Sequence, residues 1–387
     1  WDRKDYRMPG GSPSSPKIAM GLTVAPAMLA AKTHGLYPAA QAILETMVEG
    51  AMVDYDTATR IESRKLAKIM VGQNAKNMIT AFFFNLNEVN GNRGRPEERE
   101  TYVARKAVVL GAGMMGAAIA YVCAKVGIEV VLKDINLEAA ERGKGYSKDL
   151  VDKAIAKGRS TQEKGDALLA LIHPSADASD AQDADLVIEA VFEDPAVKAQ
   201  VFAEIEPYLA DDALLGSNTS TLPITGLAEG VSRPADFIGL HFFSPVDKMP
   251  LLEIIKGEQT SDETVWRALD VAKQIRKTPI VVNDSRGFFT SRVIGTFILE
   301  GISFLNEGVP AASIEQASSQ AGYPAPVLQL SDELNMELMI KIRKATKEAV
   351  EAEGGEWPLH PAYPIVDAMV EEGRAGKLAG AGFYDYE

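Results

Sequence analysis

The sequence offers very little sulfur or imidazole chemistry. Cys123 is its single cysteine, and His34, His173, His241 and His360 are its four histidines. One thiol cannot form an intrachain disulfide, so a reducing, cytoplasmic compartment is expected. A Cys-rich zinc site is excluded on the same count, and no metal site is expected. Positive charge is also short: 40 Lys and Arg face 54 Asp and Glu, a formal net charge of −14. Such a surface repels a phosphate polymer, which argues against nucleic acid as a partner. One phosphorylated small molecule can still be held locally by a helix N-terminus or a few lysines. Long apolar runs are scarce too. Residues 107–124 form an 18-residue stretch without a charge, at the lower limit for a membrane helix. Gly111, Gly113 and Gly116 interrupt it, and its β-rich first part and Ala-rich second part fit a buried strand, a tight turn and a buried helix. No membrane span and no basic, cleavable secretory signal are expected.

What remains is ordinary globular composition, with 46% hydrophobic and 24% charged residues over 387 positions. Disordered, collagen-like and mucin-like chains are excluded, and the length corresponds to two or three domains. Position 1 is Trp rather than Met, so the chain is expected to be a piece of a longer gene product. Residues 1–16 are rich in Pro, Gly and Ser and read as a linker or arm. Residues 38–50 and 57–89 have a helical pattern. Leu66, Ile69, Met70, Gln73, Ala75, Met78, Ile79 and Phe82 fall near helical spacing and predict one packing face. No catalytic pattern is concentrated there. Residues 91–100, beginning Asn90-Gly91, read as a second linker.

From Lys106 short apolar strands alternate with helices. Strands are expected at 107–110, 129–133, 185–189, 213–216, 237–241, 251–255 and 279–282, with helices at 115–126, 137–157, 195–209 and 261–276. That alternation predicts a parallel, doubly wound α/β sheet with helices on both faces. After Asp284 the strands stop, and helices are expected at 288–306, 312–321, 332–353 and 362–374. Ser331 is the expected N-cap of the third, with Glu333 in its first turn. The domain boundaries that follow are 1–100, 101–284 and 285–387, and no internal repeat is evident.

Gly111-Ala112-Gly113-Met114-Met115-Gly116 is a G-x-G-x-x-G that follows a strand and opens a helix. The first glycine serves the tight turn, the second lets a pyrophosphate approach the backbone, and the third lets helix and sheet pack closely. The motif alone is weak evidence. Here the next strand ends in Asp134, 18 residues beyond Gly116, where a carboxylate meets an adenine-ribose 2′-hydroxyl. Asp134 also repels a 2′-phosphate, and no arginine follows it closely, so NAD is expected rather than NADP.

His241 ends the strand FIGLH, and Glu253 follows 12 residues later in LLEII, enough for a strand-loop-strand return. A carboxylate that fixes one imidazole nitrogen leaves the other as a general acid or base. Taken alone, a histidine at a strand end serves as a structural hydrogen-bonder at least as often. Ser217-Asn218-Thr219-Ser220 follows another strand end and aims small polar groups, Asn218 among them, at the same crevice, although it also reads as a turn or helix-cap cluster. Glu193 and Lys198 follow a third strand end, on the nicotinamide side by position, and an ordinary surface salt bridge explains them nearly as well.

GAGMMG, VLKD, IEAVFED, SNTS, LHFFSPVDKMPLLEII, PIVVND and RGFFTSR, in this order, resemble the 3-hydroxyacyl-CoA dehydrogenase family over about residues 103–387, with AGYPAP and GAGFYDY in the helical part. The resemblance implies a Rossmann-type doubly wound sheet followed by an all-α domain like that of 6-phosphogluconate dehydrogenase. It implies that His241 takes the proton of a 3-hydroxyl, that Glu253 orients and supports the imidazolium, and that Ser220 hydrogen-bonds the reacting oxygen. Gly111, Gly113, Met114, Met115, Gly116 and Asp134 would hold the ADP half of NAD, and Glu193, Lys198 and Asn218 would approach its ribose and nicotinamide. Ser291 stands where most of the family has Asn in G-F-F-x-N-R and would donate to a thioester carbonyl from a shorter side chain. GYPAP likewise replaces the usual G-x-P-x-G-P.

The upstream PAAQAIL and IESRKLAKIM are similar to the linker of the bacterial fatty-acid oxidation complex α subunit, in which an enoyl-CoA hydratase is fused to the dehydrogenase. Expected partners are therefore an acyl-CoA thioester, a thiolase subunit, and another copy or helical domain paired with this one. Two other readings stand beside the leading one: a dehydrogenase of this fold for another hydroxy acid, and an NAD-binding fragment without turnover.

Overall fold

The computed structural model describes residues 3, 5–91, 96, 98–352 and 354–386. Leu86–Val293 forms one compact unit, and the described residues up to Asn85 together with those from Ile294 onward form a second. Residues 92–95 and 97 of the 91–100 linker fall outside the described residues, as do positions 1, 2 and 4 of the first arm.

The first unit is built on eight strands: β1 Lys106–Leu110, β2 Glu129–Lys133, β3 Ile172–Ser175, β4 Leu186–Glu189, β5 Leu214–Ser217, β6 Phe237–Phe242, β7 Leu251–Lys256 and β8 Thr278–Asn283. They lie in one sheet of order β3-β2-β1-β4-β5-β6-β7-β8. KAVVL, LVIE and LLGS are near-continuous buried runs, as expected of strands covered on both faces. Helices Met114–Ala124, Leu137–Ala156, Pro195–Ile205 and Asp262–Gln274 supply the cover. One apolar cluster gathers Ile119, Val130, Ile188, Leu240 and Val271, and another gathers Leu110, Val187, Phe202 and Phe237.

Two expectations for this sheet are corrected. It is mixed rather than parallel, because β7 runs antiparallel to β6. Residues 243–250 are too few for a helical crossover, so the chain must return beside the strand it left. The sheet also has an edge strand that the pattern did not predict, β3, preceded by the helix Gln162–Ala170. Its IHPS is short, half exposed and carries Pro174, features of an edge rather than of a central strand.

In the second unit, helices Ala311–Gln320, Val327–Leu334, Met336–Ala352 and Tyr363–Glu371 follow the long helix Thr290–Asn306. The single helix expected at 332–353 is instead two, divided at Asn335, whose φ of 68° ends the first. Ser331 is not an N-cap: it lies buried inside Val327–Leu334, and its hydroxyl donates to the Val327 carbonyl at 2.8 Å. The helix is capped from elsewhere. Pro326 precedes it, and the Glu315 carboxylate accepts from the N–H groups of Leu328 and Gln329 at 3.0 and 2.9 Å.

The N-terminal helices Pro16–Thr33, Pro38–Gly50, Tyr55–Met70 and Gln73–Ile79, with the short helix Leu86–Asn90 at the start of the sheet-bearing unit, contain no buried residue. The packing face expected over 57–89 is therefore corrected: Leu66, Met70 and Phe82 are 54%, 60% and 68% exposed. The helix also breaks after Met70 and passes through a π-helical turn at Thr80–Asn85. No helix of the described residues is long and apolar enough to cross a membrane.

The terminal GAGFYDY closes on buried Asp332. Its carboxylate accepts from the N–H groups of Phe383 and Tyr384 at 2.8 and 3.0 Å and from the Tyr386 hydroxyl at 2.9 Å. A Cβ at Gly382 would lie 2.0 Å from Asp332 Oδ1, so only glycine admits this approach. Burial, followed by the Glu315 carboxylate that accepts its proton, pushes the Tyr384 phenol up to about 12. Asp332→Ala would orphan three part-buried donors, and at the lower end of about 1–3 kcal/mol for each buried unsatisfied group the loss should reach roughly 3–5 kcal/mol. Urea unfolding followed by tyrosine fluorescence should show the lower midpoint. An unchanged midpoint would mean that the terminal segment does not brace this unit.

Candidate active site

The C-terminal ends of the central strands align. Leu110 pairs with Glu189, Glu189 with Ser217, and Ser217 with Gly239, so β1, β4, β5 and β6 deliver their following loops to one sheet edge. This is where open α/β sheets bind ligands.

At β1 the loop turns through Gly111 with φ of 92°, and a Cβ there would lie 2.7 Å from the Ala190 carbonyl oxygen. A Cβ at Gly116 would lie 1.8 Å from the Gly111 oxygen. Gly113 differs: nothing lies within 4 Å of where its Cβ would be, so that space is left for something other than the chain. Gly113 is the N-cap of Met114–Ala124 and brings no capping side chain, so the first-turn N–H groups remain available to an anion. Asp134 Oδ2 accepts from the Ala112 N–H at 2.6 Å, and its Oδ1 from the Ile135 N–H at 2.7 Å. A cavity of about 340 Å³ opens beside them, lined by Ala112, Gly113, Met114, Asp134, Arg142 and Tyr146 among others. Met115 does not line it and packs on the core beneath. An anion-ready helix end, a carboxylate and an apolar wall fit the pyrophosphate, ribose and adenine of a dinucleotide. The expectation that no arginine is close is corrected, because the helix after β2 brings Arg142 into the same wall. Its guanidinium is paired with Glu138 one turn earlier at 2.6 Å.

Across the sheet, His241 and Glu253 are directly opposed residues of the antiparallel β6–β7 pair. The Nδ1–H of His241 donates to Glu253 Oε2 at 2.9 Å, the tautomer an ionised carboxylate requires, which leaves Nε2 with its lone pair. Both residues are buried. The imidazole lies among aromatic rings, 4.5 Å from Phe243 and 6.0 Å from Phe288 between centroids. Glu253 also accepts from the N–H groups of Phe289 and Thr290 at 2.9 and 3.0 Å and from the Thr290 hydroxyl at 2.6 Å. Burial pushes its carboxyl up, and these bonds, His241 first, outweigh burial and hold it below the usual carboxylate range.

Between these two places lies a buried polar cluster. Lys198 Nζ donates to Glu189 at 2.8 and 3.0 Å and to Glu193 Oε2 at 3.0 Å, and the Ser217 hydroxyl donates to Glu189 at 2.6 Å. Glu193 Oε1 in turn accepts from the Thr219 hydroxyl at 2.6 Å and the Ser220 N–H at 3.0 Å. Burial raises the Glu193 carboxyl, but Lys198 and these donors leave it lowered overall. Asn218 accepts with its Oδ1 from the Phe242 N–H at 2.9 Å and so ties the loop after β5 to the end of β6. The ordinary surface salt bridge considered for Lys198 is corrected: its ammonium is buried, and through Glu189 and Glu193 it holds the Ser217–Thr221 loop in shape.

Of the residues read from sequence, the structure joins His241 to Glu253, Glu193 to Lys198 and Ser220, and Asp134 to the glycine loop. Ser291 is half-buried one residue beyond Thr290. Sequence reasoning missed Thr290, Arg142 and Tyr146. Thr290 was within reach, since it sits inside RGFFTSR, and Arg142 and Tyr146 follow Glu138 at helical spacing. Among the described residues no three His, Cys, Asp or Glu side chains gather as metal ligands.

Residues 106–285 match the family model for the 3-hydroxyacyl-CoA dehydrogenase NAD-binding domain, and 287–386 match that for its C-terminal domain. Among solved structures, the chain is similar to the (S)-3-hydroxybutyryl-CoA dehydrogenase of Ralstonia eutropha, at 32% identity and a TM-score of 0.68 over 74% of this chain and 100% of that one. Mycobacterium tuberculosis FadB2 matches at 31% identity and 0.65, over 74% of this chain and 100% of that one. The 3-hydroxybutyryl-CoA dehydrogenase of Escherichia coli K12 matches at 30% and 0.67, over 73% of this chain and 60% of that one. The glycine loop, its carboxylate and the two domain matches agree, and the chain belongs to the 3-hydroxyacyl-CoA dehydrogenase family of NAD-dependent oxidoreductases.

Proposed function

We propose that this chain oxidises (S)-3-hydroxyacyl-CoA to 3-ketoacyl-CoA as the dehydrogenase step of fatty-acid β-oxidation, within a longer hydratase–dehydrogenase polypeptide. The observation that carries the reading is the buried His241–Glu253 pair, set by strand register at the same sheet edge as the glycine loop. When bound, NAD supplies the hydride acceptor. The chain's part is to take up a proton. His241 Nε2 removes it from the substrate 3-hydroxyl as the C3–H bond breaks, and the resulting imidazolium is stabilised by the ionised Glu253 at Nδ1. Ser220 and Ser291 donate to the reacting oxygen and the thioester carbonyl. Glu193, Lys198 and Asn218 shape the nicotinamide side by fixing the 217–221 loop. Gly113, Met114 and Asp134 hold the ADP half, Gly111 and Gly116 shape the loop that presents them, and the Met115 side chain supports that loop from the core.

The same reading takes residues 1–100 as the linker to a hydratase, 101–284 as the NAD-binding domain and 285–387 as the helical domain. It also takes a thiolase subunit and a second helical domain as partners, in the cytoplasm.

NADH absorbance with acetoacetyl-CoA, and with (S)-3-hydroxybutyryl-CoA plus NAD, tests the reaction. His241→Ala should lower kcat by about 10²–10⁴, the usual contribution of a general base, and near-native turnover would remove His241 from the mechanism. Glu253→Gln keeps the shape and loses the charge. A hydrogen bond to a charged group is worth about 1.5–3 kcal/mol, so kcat should fall roughly 10- to 100-fold. The pH dependence of stability has a definite sign. A carboxyl lowered on folding stabilises fully above its unfolded value, near 4.5, and that stability is lost as pH falls through the lower folded value. The difference in urea midpoint between wild type and Glu253→Gln should therefore be constant at neutral pH and shrink below about pH 4.5. A difference that stays constant down to pH 3 would contradict the ionised pair.

A further inference from the structure

The 243–250 connection, which joins His241 to Glu253, is held from two sides that belong to different parts of the sheet. On one side the buried ammonium of Lys277, which precedes β8, donates to the carbonyls of Val246 and Met249, the latter at 2.6 Å. Val246 is buried in the same apolar cluster as Ala112 and Phe242. On the other side the Tyr146 hydroxyl donates to Asp247 Oδ1 at 3.1 Å. Tyr146 belongs to the helix after β2 and lines the cavity beside Asp134 and Gly113. One tyrosine thus forms a wall of the adenosine-side cavity and holds the catalytic connection with its hydroxyl. Asp247 faces Tyr121, Tyr146 and Lys277.

We propose that Tyr146 and Asp247 are positioning residues which couple occupancy of the adenosine cavity to the order of the His241–Glu253 connection. The proposal rests on placing the ADP half of NAD in that cavity. A ligand seated against the Tyr146 ring fixes the ring, the fixed hydroxyl fixes Asp247, and the two ends of the connection carry the base and its carboxylate. The Lys277 bonds use main-chain carbonyls and buried groups, so they hold the connection whether or not the cavity is filled. The Tyr146 bond is the one a ligand can tighten.

ADP serves as the probe, because it fills the adenosine side and carries no nicotinamide. In the full chain, ADP should slow backbone amide exchange over 243–250 by about tenfold, the scale of one hydrogen bond to a charged group. Tyr146→Phe keeps the ring in the wall and should bind ADP within about threefold of wild type, yet show no ADP-dependent slowing. Its kcat should fall about tenfold while its KM for the acyl-CoA substrate stays within about twofold. Asp247→Ala cuts the same bond from the far side and should behave likewise, whereas Asp247→Asn, which keeps an accepting oxygen, should restore both the slowing and kcat. ADP that slows the connection equally in Tyr146→Phe and Asp247→Ala would overturn the coupling, as would bound ADP with no effect on 243–250 in the wild type. ADP that fails to bind the wild-type chain would overturn the cavity assignment and the coupling with it.

Discussion

The Glu253 carboxylate is the constraint around which the catalytic half of this sheet is organised. It has no solvent exposure, yet it accepts four hydrogen bonds. An ionised carboxylate can survive burial only when its lone pairs are met in this way. Two donors are the leading N–H groups of the helix Thr290–Asn306 and a third is the hydroxyl of its first residue, so the carboxylate also caps that helix and gains from its dipole. The imidazole is the fourth. Removing charge from Glu253 therefore acts at two places, at the base and at the helix start. The converse also holds: any group that disturbs the first turn at Phe289 and Thr290 alters the acceptor that fixes the His241 tautomer.

The strand arrangement explains why this carboxylate and histidine meet. In a purely parallel sheet, a residue 12 positions beyond His241 would have to return through a crossover and could not face it. The short 243–250 connection forces an antiparallel return, and register then sets His241 opposite Glu253. The exception to the parallel rule is thus what builds the site. The buried Lys198 cluster applies the same logic one strand over. Its ammonium has two carboxylates within 3.0 Å, and those carboxylates fix the Ser217–Thr221 loop. Breaking such a pair leaves an uncompensated buried charge, so it specifies the loop's shape more than it adds stability.

Much of this was legible in the sequence where one local pattern had one physical meaning. Apolar runs bounded by turns mark seven of the strands, and the spacing of the glycine loop and Asp134 marks two segments that the structure brings together beside a cavity. The failures share a cause, since each depended on a partner distant in sequence. Ser331 looked like a cap because it precedes Asp332 and Glu333, but the true cap is Glu315, whose approach no local pattern announces. The apolar spacing of Leu66, Met70 and Phe82 suggests one packed face, but the helix breaks after Met70, Phe82 falls in a π-helical turn, and all three are exposed. Arg142 was overlooked because linear distance from Asp134 was used, where two helical turns bring it back to the same wall. For Lys198 and Glu193 the sequence leaves cofactor contact and surface salt bridge open, and what it does not show is the depth at which the Lys198 ammonium is buried.

The acidic character of the chain bears on how it can hold an anionic cofactor at all. A net charge of −14 acts over the whole surface, but salt screens it beyond roughly 8–10 Å. At the glycine loop the relevant charges are closer than that. They are backbone N–H dipoles at a helix start, a carboxylate whose oxygens are already engaged by two N–H groups, and a guanidinium neutralised by Glu138. Binding by backbone dipoles needs no lysine cluster, so the pyrophosphate can be held without making the surface basic. The same arrangement discriminates. A 2′-phosphate on the ribose would meet Asp134 with Arg142 already paired, whereas a 2′-hydroxyl can donate to the remaining lone pairs of that carboxylate. With the ribose placed at Asp134 as proposed, the local carboxylate favours a 2′-hydroxyl over a 2′-phosphate, and the sign of the chain as a whole does not decide it.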